Sequence, residues 1–271
     1  MTQTDALPSA AKTLRLRGRA WLLASLVIAA LVLVPVAALL WQAMQGSAEL
    51  WSHLAVNVLP HALGQTAILM AGVGVLVAVI GTSAAWLVTA YDFPGRRMLE
   101  WALLLPLAVP TYIVAYAYLD LLHPLGPFQS LVRAVLGYDS PRDFRLPDIR
   151  SMPGAILLLS LVLYPYVYLP TRAMFMTQAA NLIEAARTLG TSWAQVFRRV
   201  AVPLARPAIA VGISLALMET VNDIGASEFL GVRSLTITVY TTWVTRSDLP
   251  GAAQIALPMV LLVVALVSLE K

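Results

Sequence analysis

The chain has 271 residues, of which 59% are hydrophobic and only 12% charged, and its mean hydropathy is +0.79. A soluble domain carries about 25% charged residues. Half that share leaves too little polar surface to cover a globule in water, so the solvent this sequence suits is a lipid bilayer. There is no cysteine, which excludes disulfides, thiolate metal sites and cysteine nucleophiles.

Apolar runs of spanning length, about 17–25 residues, cover 20–44, 63–91, 101–122, 153–176, 204–221 and 252 to the C-terminus. They predict an all-α, polytopic membrane protein with about six transmembrane helices. Lys12, Arg15, Arg17 and Arg19 precede the first run, whereas residues 45–62 after it hold no Lys or Arg. That asymmetry predicts a basic cytoplasmic segment over 1–19, a cytoplasmic N-terminus and a transmembrane domain over 20–271. The first run is longer than the apolar core of a leader and continues past Pro35 to Trp41 without a small-x-small cleavage site, so it reads as a span. Arg96 and Arg97 then fall inside, residues 123–152 outside, and residues 184–209 inside. The outer segment carries Arg133, Arg142, Arg145 and Arg150, offset by Asp139, Asp143 and Asp148. The last run closes on LVVALVSLEK with almost no polar tail, as expected of a piece of a longer chain.

The stretch EAARTLGTSWAQVFRRVAVPLARPAI, residues 184–209, is polar where its surroundings are oily. Asn181 is a candidate N-cap with Glu184 three residues later. Leu182, Ala185, Ala186 and Leu189 follow at helical spacing, and Gly190 suits the left-handed residue that ends a helix. Ser192 caps again with Gln195 three later. Trp193, Val196, Phe197 and Val200 form a second apolar stripe, with Arg198 and Arg199 turned away. Pro203 and Pro207 are expected to stop regular helix before the fifth run. Two short helices at a sharp angle are predicted. The pattern also fits a DNA-binding helix-turn-helix, but spans on both sides would keep its second helix out of a major groove. A loop lying on the headgroups and a docking element for a cytoplasmic partner are the remaining readings.

Glu184-Ala185-Ala186, then Gly190, then Val200 and the Val202-Pro203 pair resemble the EAA loop of type I bacterial ABC importer permeases. Val stands where that family usually has Ile and Leu. The resemblance spans nearly the whole chain, because the order of helices and the loop's place before the fifth run also fit. It implies a permease subunit, working as a pair of six-helix units in the inner membrane, that receives substrate from a periplasmic binding protein and passes it inward by alternating access. Glu184, Ala185, Ala186, Gly190, Val200 and Pro203, in a loop over about 181–207, are then the residues that couple to the ATPase. The implied partners are an ABC ATPase subunit, a periplasmic solute-binding protein, a second permease half and the bilayer, and no nucleic acid. No cofactor is bound by the chain itself, which is not an enzyme; ATP and Mg are used by the partner ATPase. The sequence agrees on that point: it has no G-x-x-x-x-G-K-[ST] phosphate loop, and its only lysines are Lys12 and Lys271.

The stretch METVNDIGASEFLGVRSLTITVYTTW, residues 218–243, is similar to the corresponding part of ferric-iron importer permeases, whose longer members are two fused halves. That resemblance implies ferric iron as cargo, with thiamine, phosphonate, sulfate or polyamine as alternatives for the same machinery. The residues themselves are consistent with a hard cation: Glu219, Asp223 and Glu228 lie near one mouth and Tyr116 lies in the third run. These four are the candidates for a substrate path or gate. An acid inside an apolar run, as at Glu219, is a functional suspect, against a helix–helix hydrogen bond. Tyr112, Tyr118, Tyr164, Tyr166 and Tyr168 are read as aromatic belt or ordinary packing. His53, His61 and His123 read as interfacial residues, not a metal cluster. The segment 123–152, with Arg142, Arg145 and Arg150, is a candidate contact for the binding protein.

An ion-coupled secondary transporter would want an inverted repeat and paired broken helices near the midplane. Pro35, Pro106, Pro110 and Pro165 are present without a convincing repeat. An intramembrane enzyme would want a nucleophile with a base, or metal ligands, inside the spans, and none converge at readable spacing, although Asp120 and Glu219 are acids there.

Overall fold

The computed structural model describes residues 9–46, 48–177 and 180–269. Every regular element among them is helical. The first apolar run is α1 (Ser9–Met44), whose helix already begins within the basic segment. Then α2 (Ala48–His53) and a π turn (Leu54–Val58) lead into α3 (Leu59–Ala90), the second run. Lipid offers backbone groups no partner, so long helices that satisfy their own hydrogen bonds are the expected solution.

The third run departs from the prediction. It was expected as one span over 101–122; it is α4 (Arg96–Ala102), a 3-10 turn (Leu105–Ala108) and α5 (Thr111–Leu121), bent by 97°. Two prolines explain the break. Around Pro106 the chain tightens, with Leu104 N–H donating to Trp101 O, Leu107 N–H to Leu104 O and Val109 N–H to Pro106 O, each three residues back. Val109 then turns extended, at φ −112° and ψ 126°, as the residue before Pro110 must.

The outer segment, expected as a loop over 123–152, contains α6 (Pro127–Leu136). Gln129 and Arg133 on one face of it are buried. The fourth run is α7 (Met152–Leu163) and α8 (Pro165–Thr177), bent by 42° at their junction. After α9 (Ala180–Thr188) come α10 (Trp193–Val196), a π turn (Phe197–Ala201) and α11 (Val202–Asn222). The short helices α12 (Gly225–Phe229) and α13 (Leu235–Tyr240) and a π turn (Thr241–Thr245) precede α14 (Leu249–Leu269). Among the described residues three stretches are long and apolar enough to cross a membrane unaided, and the two bent pairs raise this to five. The described apolar part of α14, Leu249–Ala265, is shorter.

The core lies where α3, α7, α8 and α11 meet. Leu69, Val73 and Val77 of α3, Leu159 and Leu163 of α7, Val167 and Tyr168 of α8, and Ala205 and Ala216 of α11 are buried there. Lipid is as apolar as leucine, so these helices associate by close packing, and small residues mark the crossings. A Cβ on Gly212 would stand 2.6 Å from Val167 Cα and 2.7 Å from Tyr166 O; one on Gly81 would stand 2.8 Å from Tyr164 O. Both glycines press backbone against the start of α8. By contrast α1 meets the rest mainly through α14, and its residues 21–38 are exposed.

Candidate functional site

The stretch 180–201 forms one end of the bundle. Gly190 has φ +81° and closes α9 with a paired cap: Gly190 N–H donates to Arg187 O at 3.0 Å and Thr191 N–H to Ala186 O at 3.3 Å. These bonds satisfy carbonyls that the helix end would orphan. Ser192 then starts α10 with a reciprocal cap. Its Oγ accepts from Gln195 N–H at 3.4 Å, while Gln195 Oε1 accepts from Ser192 N–H at 3.3 Å. The predicted cap at Asn181 is not formed: α9 begins at Ala180, which places Asn181 inside the helix.

Nor do Pro203 and Pro207 stop the helix. Residues Trp193–Asn222 run on without a break. The π turn accounts for this. Val202 N–H donates five residues back to Phe197 O, and Pro203, which has no N–H, follows directly, in the first turn of α11 where a proline is tolerated. Pro207 sits inside α11. The second short helix is therefore the stem of the fifth span, and only α9 stands at an angle.

Leu182, Glu184, Ala185 and Leu189 of this end are exposed, Leu189 at 84%. The stripe on the second helix turns inward instead. Val196 is buried, and Trp193, Phe197 and Val200 pack against the core, while Arg198 and Arg199 are exposed. Trp193 meets Trp86, at the end of α3, edge to face with ring centroids 5.9 Å apart. Trp86 also touches Phe197 at 5.2 Å and Phe175 of α8 at 5.6 Å. Arg187 lies over the Trp193 ring at 4.7 Å and donates to Thr191 O at 2.7 Å. One aromatic cluster thus joins α9, α10 and the ends of α3 and α8. Sequence reasoning did not find Trp86 or Phe175, because each looks like one more apolar residue in a span.

The broken third run is tied to the same bundle. Shifting to bonds three residues back leaves Glu100 O and Leu103 O without helical partners. Tyr168 donates its hydroxyl to Glu100 O at 3.3 Å, and Tyr164 donates to Leu103 O at 2.8 Å. The Glu100 carboxylate accepts from Arg172 at 2.8 Å and from Arg96 at 3.2 Å. Two of the tyrosines read as belt or packing are therefore specific hydrogen-bond donors that hold the break.

The candidate path residues lie at the opposite end. Glu219 is exposed on α11, within the span. Asp223, one turn further, is 8% exposed and turned inward. Its Oδ1 accepts from Ala226 N–H at 2.8 Å and Ser227 N–H at 3.1 Å, and its Oδ2 accepts from Thr111 Oγ1. Asp223 is thus the cap of α12 and its tie to α5. Glu228 is exposed on α12, beside the contact between Tyr116 and Phe229, whose rings lie 6.1 Å apart. Tyr116 and Glu228 are exposed, whereas Asp223 is buried. Among the described residues no three His, Cys, Asp or Glu side chains gather closely enough to hold a metal ion.

The architecture is thus an all-helical bundle with broken spans and a capped helix pair at one end. The chain superposes with a TM-score of 0.75 on a chain of a bacterial alginate ABC transporter solved with an alginate-bound periplasmic protein, covering 93% of each at 16% identity. The sequence model of the binding-protein-dependent transport system inner membrane component family matches residues 77–271. The chain belongs to that family. It is 28% identical over 284 residues to a putative 2-aminoethylphosphonate transport system permease protein, PhnU, of Salmonella choleraesuis (strain SC-B67), covering 98% of this chain and 95% of the relative. It is 32% identical over 203 residues to the sulfate transport system permease protein CysW of Escherichia coli (strain K12), covering 74% and 66%.

Proposed function

We propose that this chain is a permease half of an ATP-driven importer whose cargo is a small oxyanion of the phosphonate and sulfate class. The observation that carries the machine is the exposed α9 with its Gly190 cap, joined by the Trp193–Trp86 contact to α3 and α8. The exposed Glu184, Ala185 and Leu189 are the surface a cytoplasmic ATPase grips, with Gly190 setting the angle and Val200 and Pro203 seating the stem. ATP and Mg belong to that separate subunit. Closure of the ATPase dimer draws the α9 ends of the two permease halves together, and the aromatic cluster passes the movement to α3 and α8. The end that bears α9 is the cytoplasmic one, which puts the N-terminus inside. The end with α12 and α13 faces the periplasm and a solute-binding protein.

The cargo rests on the relatives, whose names specify 2-aminoethylphosphonate and sulfate. Ferric iron is the second reading. It rests on the likeness of residues 218–243 to ferric permeases and on Glu219, an acid exposed on a spanning helix. Uptake of labelled sulfate, 2-aminoethylphosphonate and ferric iron in cells with and without the gene separates the two. Loss of oxyanion uptake alone supports the first reading, loss of iron uptake alone supports the second, and no loss of either overturns both.

A further inference from the structure

We propose that the periplasmic end holds a dedicated oxyanion pocket, built by Arg233, Arg246 and His61, through which the cargo enters this subunit; the inference rests on the oxyanion reading above. A cavity of about 440 Å3 lies between the start of α3 and the α13 region, lined by residues that include Asn57, His61, Arg233, Thr238, Thr241 and Arg246. No carboxylate of the described residues lines it. Neither arginine makes a salt bridge among the described residues. The acid next in sequence is engaged elsewhere: Asp248 Oδ1 accepts from Gly251 N–H at 2.9 Å and caps α14. Arg233 and Arg246 are exposed, and two guanidinium groups that line one cavity with no ion pair among the described residues make it attractive to an anion. Their planar forks match a sulfate or phosphonate group, which accepts two bonds from each.

The backbone fixes the points from which both arginines emerge. Gly231, at φ +73°, ends α12 with the same paired cap as Gly190: its N–H donates to Glu228 O at 3.1 Å, and Val232 N–H donates to Ser227 O at 2.9 Å. Arg233 follows at once, between Val232, which is buried, and Ser234, which is buried and caps α13 by accepting from Ile237 N–H at 3.3 Å. Arg246 closes the π turn, its N–H donating to Thr241 O at 3.1 Å. The next residue, Ser247, is the one non-glycine residue with positive φ among the described residues, at +54°. A left-handed serine is uncommon, and such strain is typical of positions where a neighbouring group has to be aimed. The hydroxyls of Thr238 and Thr241 donate to Ser234 O and Ile237 O, and the Asn57 amide donates to His53 O. Their remaining oxygen lone pairs can accept, which suits the ammonium end of an aminophosphonate beside the anionic end at the arginines.

The same chemistry would also take the phosphate of a lipid headgroup, and the test separates the two sources. The assembled importer, with its second permease half and ATPase, is placed in phosphatidylcholine nanodiscs with and without phosphatidylglycerol. Equilibrium binding of labelled sulfate and of 2-aminoethylphosphonate is measured for wild type, Arg233→Gln, Arg246→Gln and the lysine variants, with assembly checked by size exclusion. The expected result is saturable binding in pure phosphatidylcholine, weakened about tenfold or more by each Gln change and less by Lys. Binding equal in all variants overturns the pocket, and wild-type uptake of an oxyanion by the same importer in sealed proteoliposomes would then leave the cargo reading standing. Absence of free-anion binding, with phosphatidylglycerol retained by wild type and lost from the Gln variants, assigns the arginines to lipid and also overturns it. Uptake of iron without oxyanion uptake sinks the cargo reading, and with it the pocket's role in entry.

Discussion

Trp193 and Trp86 lie 107 residues apart in sequence and meet edge to face at 5.9 Å, and together with the Trp86–Phe197 contact this joins the stem of the fifth span to the second span. Removing it should weaken the link between binding and movement. Trp193→Ala leaves the Ser192–Gln195 cap in place, so the loop still folds and still binds the ATPase. The lost packing costs about 2–3 kcal/mol, less than a fully buried aromatic would. We expect near-normal co-purification of the ATPase, substrate uptake reduced at least tenfold, and partial recovery in Trp193→Phe. Uptake and ATPase activity measured on one reconstituted preparation decide the matter.

Gly190 gives a sharper separation. A Cβ there meets open space, so any cost of Gly190→Ala is conformational, about 1–2 kcal/mol for an L-residue at φ +81°. Gly190→Asn, which tolerates that region, should bind the ATPase almost as wild type does. Alanine should weaken capture, and Gly190→Pro should abolish it while membrane insertion stays intact. Pull-down of the ATPase from solubilised membranes orders the three.

The apolar runs were legible because spanning length and helical backbone satisfaction leave little choice. The same is true of the Gly190 turn and the Ser192 cap, whose signals are local. What sequence could not show was set by contacts across the fold. A proline pair at 106 and 110 is as compatible with a kink as with a break, and the break persists because Tyr164 and Tyr168, some 60 residues later, take up the freed carbonyls. Pro203 looks like a terminator until the π turn before it is seen. An acid near a mouth carries no mark in the sequence of pointing inward, as Asp223 does. Glu184, Ala185 and Gly190 stand out by their spacing as candidates for coupling, whereas Trp86 and Phe175 carry no signal apart from hydrophobicity.

The tyrosine caps can be tested by deleting one oxygen each. Tyr164→Phe leaves the part-buried Leu103 O without its donor, at a cost of about 1 kcal/mol, and Tyr168→Phe does the same to Glu100 O. The double variant should lower the midpoint of thermal unfolding in detergent by more than either single change and leave ATPase capture unaffected. An unchanged midpoint would mean that the break is held by the Arg172–Glu100 pair alone.

Asp223 and Glu219 should separate by readout. Asp223→Ala removes the acceptor for two N–H groups and for Thr111, and by the usual cost of a lost cap destabilises by about 1–2 kcal/mol. Asp223→Asn, which keeps one acceptor oxygen, should recover part of that. Glu219→Ala touches no such bond and should leave stability unchanged while reducing uptake. Thermal unfolding and uptake on the same samples check both halves.

The most direct measurement of coupling uses the chain's lack of cysteine. Glu184→Cys and Leu189→Cys are each labelled with a benzophenone maleimide in the assembled importer and photolysed, with Leu125→Cys, exposed at the opposite end, as control. Adducts to the ATPase from positions 184 and 189, with none from 125, are the predicted result. Failure of both positions to reach the ATPase in a complex that still imports would contradict the assignment of this helix pair as the coupling element.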